Sequence, residues 1–214
     1  MTFIISAQLL QAQYTFTKTN GFYPGLGIGI GVFYPEDVNE YIEADLPSNI
    51  ITSYGNTDIY MYEALNASLT YKIKWIDITA ILEYALGPKW IIITNGTNHF
   101  YNFRRISPGL LVNFYVPTGT GRHALFLGGG AQYHFMKFED ITRNKIGFRV
   151  NLGYCLQFNG ISVQPYLAFN LANAKGPETQ GTYIGTEQFD RFDLNYTGGQ
   201  IGVNLSFHKP IAHR

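Results

Sequence analysis

The chain of 214 residues is electrically neutral, with 15 Lys and Arg against 15 Asp and Glu, and it is rich in Tyr, Phe and Gly. The lack of a basic excess argues against a nucleic-acid-binding protein, and the 16% aromatic content argues against a disordered chain. Only 14% of the residues are charged, against about 25% in typical soluble domains, and the single cysteine, Cys155, rules out an internal disulfide and a cysteine-rich metal site.

The N-terminal segment precedes the first predicted strand. Phe3–Leu10 is apolar and is followed by Gln11, Ala12 and Gln13, a pattern typical of the end of a secretory signal peptide, although the basic segment that normally comes first is missing. We therefore predict that residues 1–20 are a signal-peptide remnant or a periplasmic N-terminal tail.

Most of the remaining chain alternates between apolar residues and polar or small ones. In Lys145–Gln157 every even position is apolar, while the odd positions include Arg149 and Asn151. A period of two places one set of side chains on each face of a β-strand, whereas a helix would scatter both sets. The pattern predicts eight strands, which are Phe22–Tyr34, Ile59–Lys74, Trp75–Pro88, Phe103–Tyr115, His123–Lys137, Lys145–Gln157, Ile161–Ala172 and Arg191–Phe207.

Two of these strands carry unusual glycines. In the first strand, glycine occupies every odd position from Gly25 to Gly31, where it would make room for large neighbours such as Tyr60 and Tyr62. In the last strand the apolar set that includes Tyr196 changes phase before Ile201. We predict that a β-bulge at Gly198-Gly199 absorbs this slip.

Strand length and connector length both favour a membrane barrel. Each predicted strand has at least about 10 residues, enough to cross a bilayer when tilted, and the sequence has no apolar run of about 20 residues for a transmembrane helix. Short connectors alternate with longer ones, as in outer-membrane barrels, whose short turns face the periplasm. The short ones are Lys72–Trp75, Pro117–Arg122 and Phe158–Gly160, the long ones are Pro35–Asp58, Lys89–Asn102 and Asn173–Asp190, and Glu139–Asn144 is intermediate.

We therefore predict an all-β fold, an eight-stranded antiparallel up-and-down transmembrane β-barrel over residues 21–207, with a periplasmic C-terminal tail at 208–214. A soluble lipocalin-like barrel, with apolar side chains inside, is the alternative at the level of the fold. Aromatic residues near the strand ends, such as Trp75 and Tyr115, favour the membrane barrel because such rings gather at the lipid headgroups.

The inward face of the predicted barrel carries a polar cluster. An eight-stranded barrel is just wide enough for side chains to fill, and buried charges must be paired. We expect Glu83 to pair with Arg105 and Arg149, with Gln132 and His134 nearby. A plug of hydrogen bonds is the simplest role for this cluster, and a proton or ion path is the alternative.

The first long connector, Pro35–Asp58, is acidic and contains no Lys or Arg. A solvated acidic loop is the simplest interpretation. Weak divalent-cation binding and a protein partner are alternatives, the second because apolar residues lie between the acids. The acidic residues in question are Glu36, Asp37, Glu40, Glu43 and Asp45.

The end of the last strand indicates a family. Gly199–Phe207 alternates apolar residues and closes on an aromatic, which resembles the signal read by the outer-membrane insertion machinery, although a tail follows the aromatic. Over residues 20–207 the chain resembles the small outer-membrane barrels of the OmpA/OmpX/OmpW-like group, and its Ala12-Gln13 ending is most similar to Bacteroidota members. The resemblance implies contact with outer-membrane lipids and lipopolysaccharide, and it brings no catalytic motif, metal or cofactor.

We expect a non-enzymatic structural or interaction protein of the envelope, with a plugged lumen and a protein partner at the extracellular loops or the periplasmic tail. An accessory subunit of a secretion complex is one such role. A narrow channel or an OmpW-like transporter of small hydrophobic or polar solutes is the alternative. A lipid-modifying enzyme is a minor alternative, because it needs Ser, His and a carboxylate, and the outward strand faces show no His-x-Ser pairing.

Overall fold

The computed structural model describes residues 20–33, 60–94, 97–118, 123–138, 141–174, 182–184, 187–189 and 194–208. The strands in these ranges are β1 (Gly21–Phe33), β2 (Tyr60–Ile73), β3 (Ile76–Thr94), β4 (Thr97–Thr118), β5 (His123–Phe138), β6 (Ile141–Gln157), β7 (Ile161–Leu171), β8 (Asn173–Ala174), β9 (Thr182–Ile184), β10 (Glu187–Phe189), β11 (Leu194–Asn195) and β12 (Gly198–Phe207). Within the described residues, no helix has the length and apolar character needed to cross a membrane.

Eight of these strands close into one antiparallel barrel, in the order β1-β12-β7-β6-β5-β4-β3-β2. The predicted eight-stranded up-and-down barrel is therefore confirmed. The first and last strands pair with each other, from Gly25 with Ser206 to Phe33 with Gly198, so the sheet closes on itself. We call the end with the Lys74-Trp75 turn the lower end, where β1 begins and β12 finishes, and the opposite end the upper end.

The two faces of the barrel have opposite polarity. Outward side chains are large and apolar, as at Ile28 and Phe148, which are 64% and 60% exposed, whereas inward positions hold the polar and charged residues. From Glu63 to Ile73, β2 rises about 33 Å, or roughly 25 Å along the barrel axis at a strand tilt of about 40°. This height matches the apolar band of a transmembrane barrel, and the lipocalin-like alternative, with its apolar face inward, is wrong.

Two predicted connectors are shorter than expected because their strands continue. Lys89–Thr94 pairs with Thr97–Asn102, so Lys89–Asn102 is largely a β-ribbon rather than a loop, and Phe138 pairs with Ile141 across the next turn. The sequence of these segments does not alternate between apolar and polar residues, as in Trp90–Ile93, so the ladder goes on after the sequence signal has ended.

The phase slip in the last strand also differs from the prediction. Gly198 and Gly199 lie in regular register with both neighbouring strands, so the bulge predicted there is wrong. The same register continues upwards, from Gly198 opposite Asn170 to Leu194 opposite Ala174, and the Tyr196 N–H donates to the Ala172 carbonyl oxygen at 2.6 Å. Tyr196 therefore shares the inward face of Gln200, and it is 1% exposed.

Parts of the prediction lie outside the described residues. These are residues 1–19 of the predicted N-terminal segment, 209–214 of the predicted C-terminal tail, and 34–59, which connects β1 to β2.

Candidate functional site: the polar lumen

The centre of the lumen holds an ion cluster formed by Glu83, Arg105 and Arg149. The Glu83 carboxylate accepts a hydrogen bond from the Arg105 guanidinium through one oxygen. Its other oxygen accepts from Arg149 Nη1 at 2.7 Å and from Gln200 Nε2 at 3.2 Å. Glu83 and Arg105 are fully buried, so these bonds replace the water that the charges lose.

The barrel register explains how these side chains meet. Ser107 is the ladder partner of Glu83 on β4, and Arg105, two residues further up, lies diagonally from it on the same inward face. Arg149 comes from β6, across the interior, and its long side chain spans the space. This position needs a long basic side chain with a planar group that donates several hydrogen bonds, and only arginine has both properties.

The ion cluster contains two arginines for one glutamate, and neutral groups stabilise the second positive charge. Arg149 Nε donates to Asn151 Oδ1 at 2.7 Å, and its guanidinium lies 5.3 Å from the centre of the Tyr166 ring. The Arg105 guanidinium lies 3.6 Å from the centre of the Tyr196 ring. The π faces of the rings attract the cations electrostatically where a second carboxylate is lacking.

His134 joins the ion cluster as a neutral ring. Its Nδ1 is 2.8 Å from Ser107 Oγ and 3.3 Å from Arg105 Nη1. Because a guanidinium can only donate, Nδ1 must accept, which assigns the ring proton to Nε2. Gln132 is buried beside this group but its amide forms no hydrogen bond with a described residue. The structure thus gathers Glu83, Arg105, Arg149 and His134, and leaves Gln132 outside their hydrogen bonds.

Above the ion cluster lies an aromatic layer of Phe33, Tyr62, Phe103 and Tyr196. The Phe33 ring centre is 5.0 Å from that of Phe103 and 5.2 Å from that of Tyr196, and the Tyr62 and Tyr196 centres are 5.1 Å apart. Gly31 makes room for this layer, because a Cβ there would lie 2.1 Å from the Tyr62 ring. Gly31 therefore makes room for Tyr62, as its position in the first strand predicted. The Tyr60 side chain is outside the described set.

A second polar group, the lower cluster, lies near the lower end and was not identified from the sequence. Asp77 accepts hydrogen bonds from Asn113 at 2.7 Å, from Thr79 at 3.1 Å and from the Tyr115 hydroxyl. Lys72 is its ladder partner and lies 5.0 Å from the centre of the Tyr115 ring. The available signal was the two-residue turn Lys74-Trp75, which sets Lys72 opposite Asp77 on the inward face.

The space left between these groups is small. One cavity of about 30 Å³ lies between Asn113, Arg149 and Tyr166, and another of about 20 Å³ lies beside Asp77 and Cys155. Each has room for one or two water molecules and for no larger solute. Cys155 is buried and reduced in this region, as a small inert residue would be.

Metal binding has no support in the part of the chain that the structure describes. Those residues contain no group of three or more His, Cys, Asp or Glu side chains that could hold an ion. The acidic residues of the first connector lie outside that part. They are Glu36, Asp37, Glu40, Glu43 and Asp45.

Comparison with known proteins places the fold among small outer-membrane barrels. No protein-family model matches the chain, and no curated protein matches it. The crystal structure of Neisserial surface protein A is similar with a TM-score of 0.56 and 11% identity, over 89% of this chain and 98% of that one. The outer membrane protein OprG from Pseudomonas aeruginosa is similar with a TM-score of 0.50 and 12% identity, over 89% and 97%. At such identities the likeness concerns the fold, which is that of eight-stranded outer-membrane barrels.

Proposed function

We propose that the chain is an integral outer-membrane protein that works as a closed barrel and holds its upper connectors at the cell surface for a partner. The observation that carries this proposal is the filled lumen. The aromatic layer, the ion cluster and the lower cluster follow one another along the axis, and the cavities between them hold about 30 Å³ or less. A barrel filled in this way supports a structural or interaction role better than a transport role.

The exterior supports the location in a membrane. Leucine, isoleucine, valine and phenylalanine side chains stand exposed all around the barrel, from Leu26 on β1 to Leu205 on β12. Soluble monomers rarely expose an apolar patch above about 600 Å², whereas a barrel in lipid must expose a continuous band. The fold shared with outer-membrane proteins points to the outer membrane, and the short turns then lie in the periplasm.

The upper end supports the interaction role. Beyond Leu86 the β3–β4 ribbon continues to Thr94 and Thr97, and the connector 34–59 adds acidic and apolar residues at the same end. A partner could also bind the tail at 208–214, as an accessory subunit of a secretion complex would require. The Ala12-Gln13 ending favours a Bacteroidota-type source for such a protein.

Catalysis finds little support in the described residues. The Ser107–His134 contact resembles a nucleophile and base, but both side chains are fully buried and the nearest charged partner of the ring is an arginine. A triad needs a carboxylate on the second ring nitrogen and access for substrate. We therefore favour a packing role for this pair, without catalytic residues or cofactors.

The proposal is tested by the conductance of the full chain in planar lipid bilayers. We expect no conductance steps from protein that migrates as a folded, heat-modifiable band on a gel, at levels where a general porin opens readily. A heat-unfolded sample is the matched control for leakage. Reproducible steps that require folded protein would favour the channel alternative, and a chain that folds in buffer without detergent would contradict the membrane location.

A further inference from the structure

An outward-facing groove opens in the upper barrel wall where β2 separates from β3. The β2–β3 ladder ends with the pair Glu63 and Leu86, and directly above it β3 shifts its register against β4 between Leu86 and Lys89. Gly87 and Pro88 occupy this shift, and proline has no N–H to donate to the ladder. The β3–β4 ribbon therefore leaves β2, whose upper residues pair with β1 alone among the described strands.

The groove has the size and the lining of a ligand site. Its volume is about 710 Å³, within the range of about 300–1,000 Å³ found for small-molecule sites. Its lining includes Glu63, Leu86 and Arg104, which share one row of the sheet, with Tyr84 one outward position below that row and Met61 one outward position above it. Tyr62 and Phe103 of the aromatic layer also line it.

The upper edge of the groove carries charges that stand out from the rest of the exterior. Among outward positions whose side chains are described, charge occurs only at Glu63, Arg104 and Lys137. Arg104 and Lys137 are direct ladder partners on the same outward face. Like charges directly opposite each other on a sheet destabilise it, and neither side chain forms an ion pair with a described residue. Such a pair of cations calls for an external anion.

The level of these cations indicates which anion they meet. Each lies one outward position above an apolar side chain of its own strand, Ile106 on β4 and Phe135 on β5, at the top of the apolar band that is roughly 25 Å high. In a bilayer this is the height of the lipid headgroups, where phosphate is the principal anion. An arginine beside a lysine binds phosphate through several charge-assisted hydrogen bonds.

We propose that the groove binds a lipid of the outer leaflet, with its phosphorylated headgroup on Arg104 and Lys137 and an acyl chain that runs down along Leu86 and Tyr84. This inference rests on the proposed outer-membrane location. Glu63 lies about 10 Å from Arg104, two strands away across Leu86. It repels phosphate and so keeps the headgroup on the side of the two cations.

The test measures lipid binding to the full chain in maltoside micelles by native mass spectrometry. Two probes are used, a lipid A that carries both phosphates and the same lipid with its phosphates removed. For Arg104→Gln/Lys137→Gln we expect affinity for the phosphorylated lipid to fall about ten-fold or more, since each charged hydrogen bond lost has a large effect. The dephosphorylated lipid should bind the wild type and this variant equally weakly.

Two further variants serve as controls. Arg143→Gln/Lys145→Gln removes the same charge from the same rim, but these β6 residues share the inward-pointing register positions of Arg149, so affinity should stay within about two-fold. Glu63→Gln should bind the phosphorylated lipid as tightly as the wild type, or more tightly. Inorganic phosphate should fail to displace the lipid.

Several results would overturn the inference. Two of them are equal binding of both lipids and an equal loss in the Arg143→Gln/Lys145→Gln variant. Weaker binding in Glu63→Gln would indicate a cationic headgroup instead. Displacement by inorganic phosphate would indicate a site for the free ion. All variants are first shown to insert into vesicles as heat-modifiable protein. Failure of the wild type at that step would instead refute the membrane location itself.

Discussion

Replacing Glu83 with glutamine tests the filled lumen directly. The substitution keeps the size of the side chain and removes the carboxylate that both Arg105 and Arg149 contact. The two guanidinium groups are 0% and 2% exposed, so bulk water cannot solvate the positive charges that lose their carboxylate. Removing one partner of a buried ion pair typically costs about 3–5 kcal/mol of unfolding free energy.

The contacts that remain place the expected loss near the lower end of this range. Arg149 keeps its hydrogen bond to Asn151, and Arg105 keeps the face of the Tyr196 ring. A cation over an aromatic face contributes about 2 kcal/mol when it is desolvated. We therefore expect Glu83→Gln to lower the unfolding free energy by about 3 kcal/mol, and Glu83→Ala to lower the melting temperature as well.

The assay is equilibrium urea unfolding of the chain in lipid vesicles, followed by the fluorescence of its two tryptophans. The double variant Glu83→Gln/Arg149→Met removes one of the stranded charges with little change in volume. It should be less destabilised than the sum of the single variants, with a coupling of about 1–3 kcal/mol. A loss below about 1 kcal/mol for Glu83→Gln, together with additive behaviour in the double variant, would refute the reasoning.

Other substitutions probe the packing of the lumen. Gly31→Ala should lower the unfolding free energy by about 1–3 kcal/mol in the same urea assay, since its Cβ would lie 2.1 Å from the Tyr62 ring. Gly199→Ala should change it by less than about 0.5 kcal/mol, because a Cβ there would lie 4.0 Å from its nearest neighbour, the Ala168 carbonyl oxygen. Asp77→Ala removes the acceptor of the hydrogen bonds from Asn113, Thr79 and Tyr115 and should cost about 2 kcal/mol or more. Asp77 and Glu83 lie about 20 Å apart along β3, so the two losses should add within about 0.5 kcal/mol, and a large coupling would contradict two separate clusters.

The sequence predicted the barrel because alternation is strict wherever lipid lies outside and the lumen inside. Lys145–Gln157 shows this in β6, where Arg149 faces inward and Phe148 outward. A closed barrel with short turns also fixes the neighbours of each strand, so the approach of Arg105 to Glu83 follows from a simple hairpin. The signal fails in the paired segments Lys89–Thr94 and Thr97–Asn102, where apolar and polar residues do not alternate.

Other features depend on information that a single sequence does not carry. Tyr196 belonged by alternation to the apolar set, but the register of β12 continues through it, so that it shares the inward face of Gln200 and its ring lies over Arg105. Gln200 reaches Glu83 from β12 only because the barrel closes, so that strands far apart in the chain face the same axis. Such contacts depend on the relative height of the strands along the barrel axis. The register of the strand pairs sets that height, whereas alternation does not.

The layers of the lumen act in series, and this order constrains how the barrel could ever conduct. A solute would have to pass the aromatic layer at Tyr62 and Tyr196, then the ion cluster at Glu83, then the lower cluster at Asp77. Because these blocks lie one behind another, we expect the path to stay closed when any single one is removed, although the barrel loses the stability that this block contributes. Glu83→Gln should therefore weaken the barrel without opening it. Loss of stability accompanied by ion conductance in this one variant would mean that the ion cluster is a gate and that the other layers are passable.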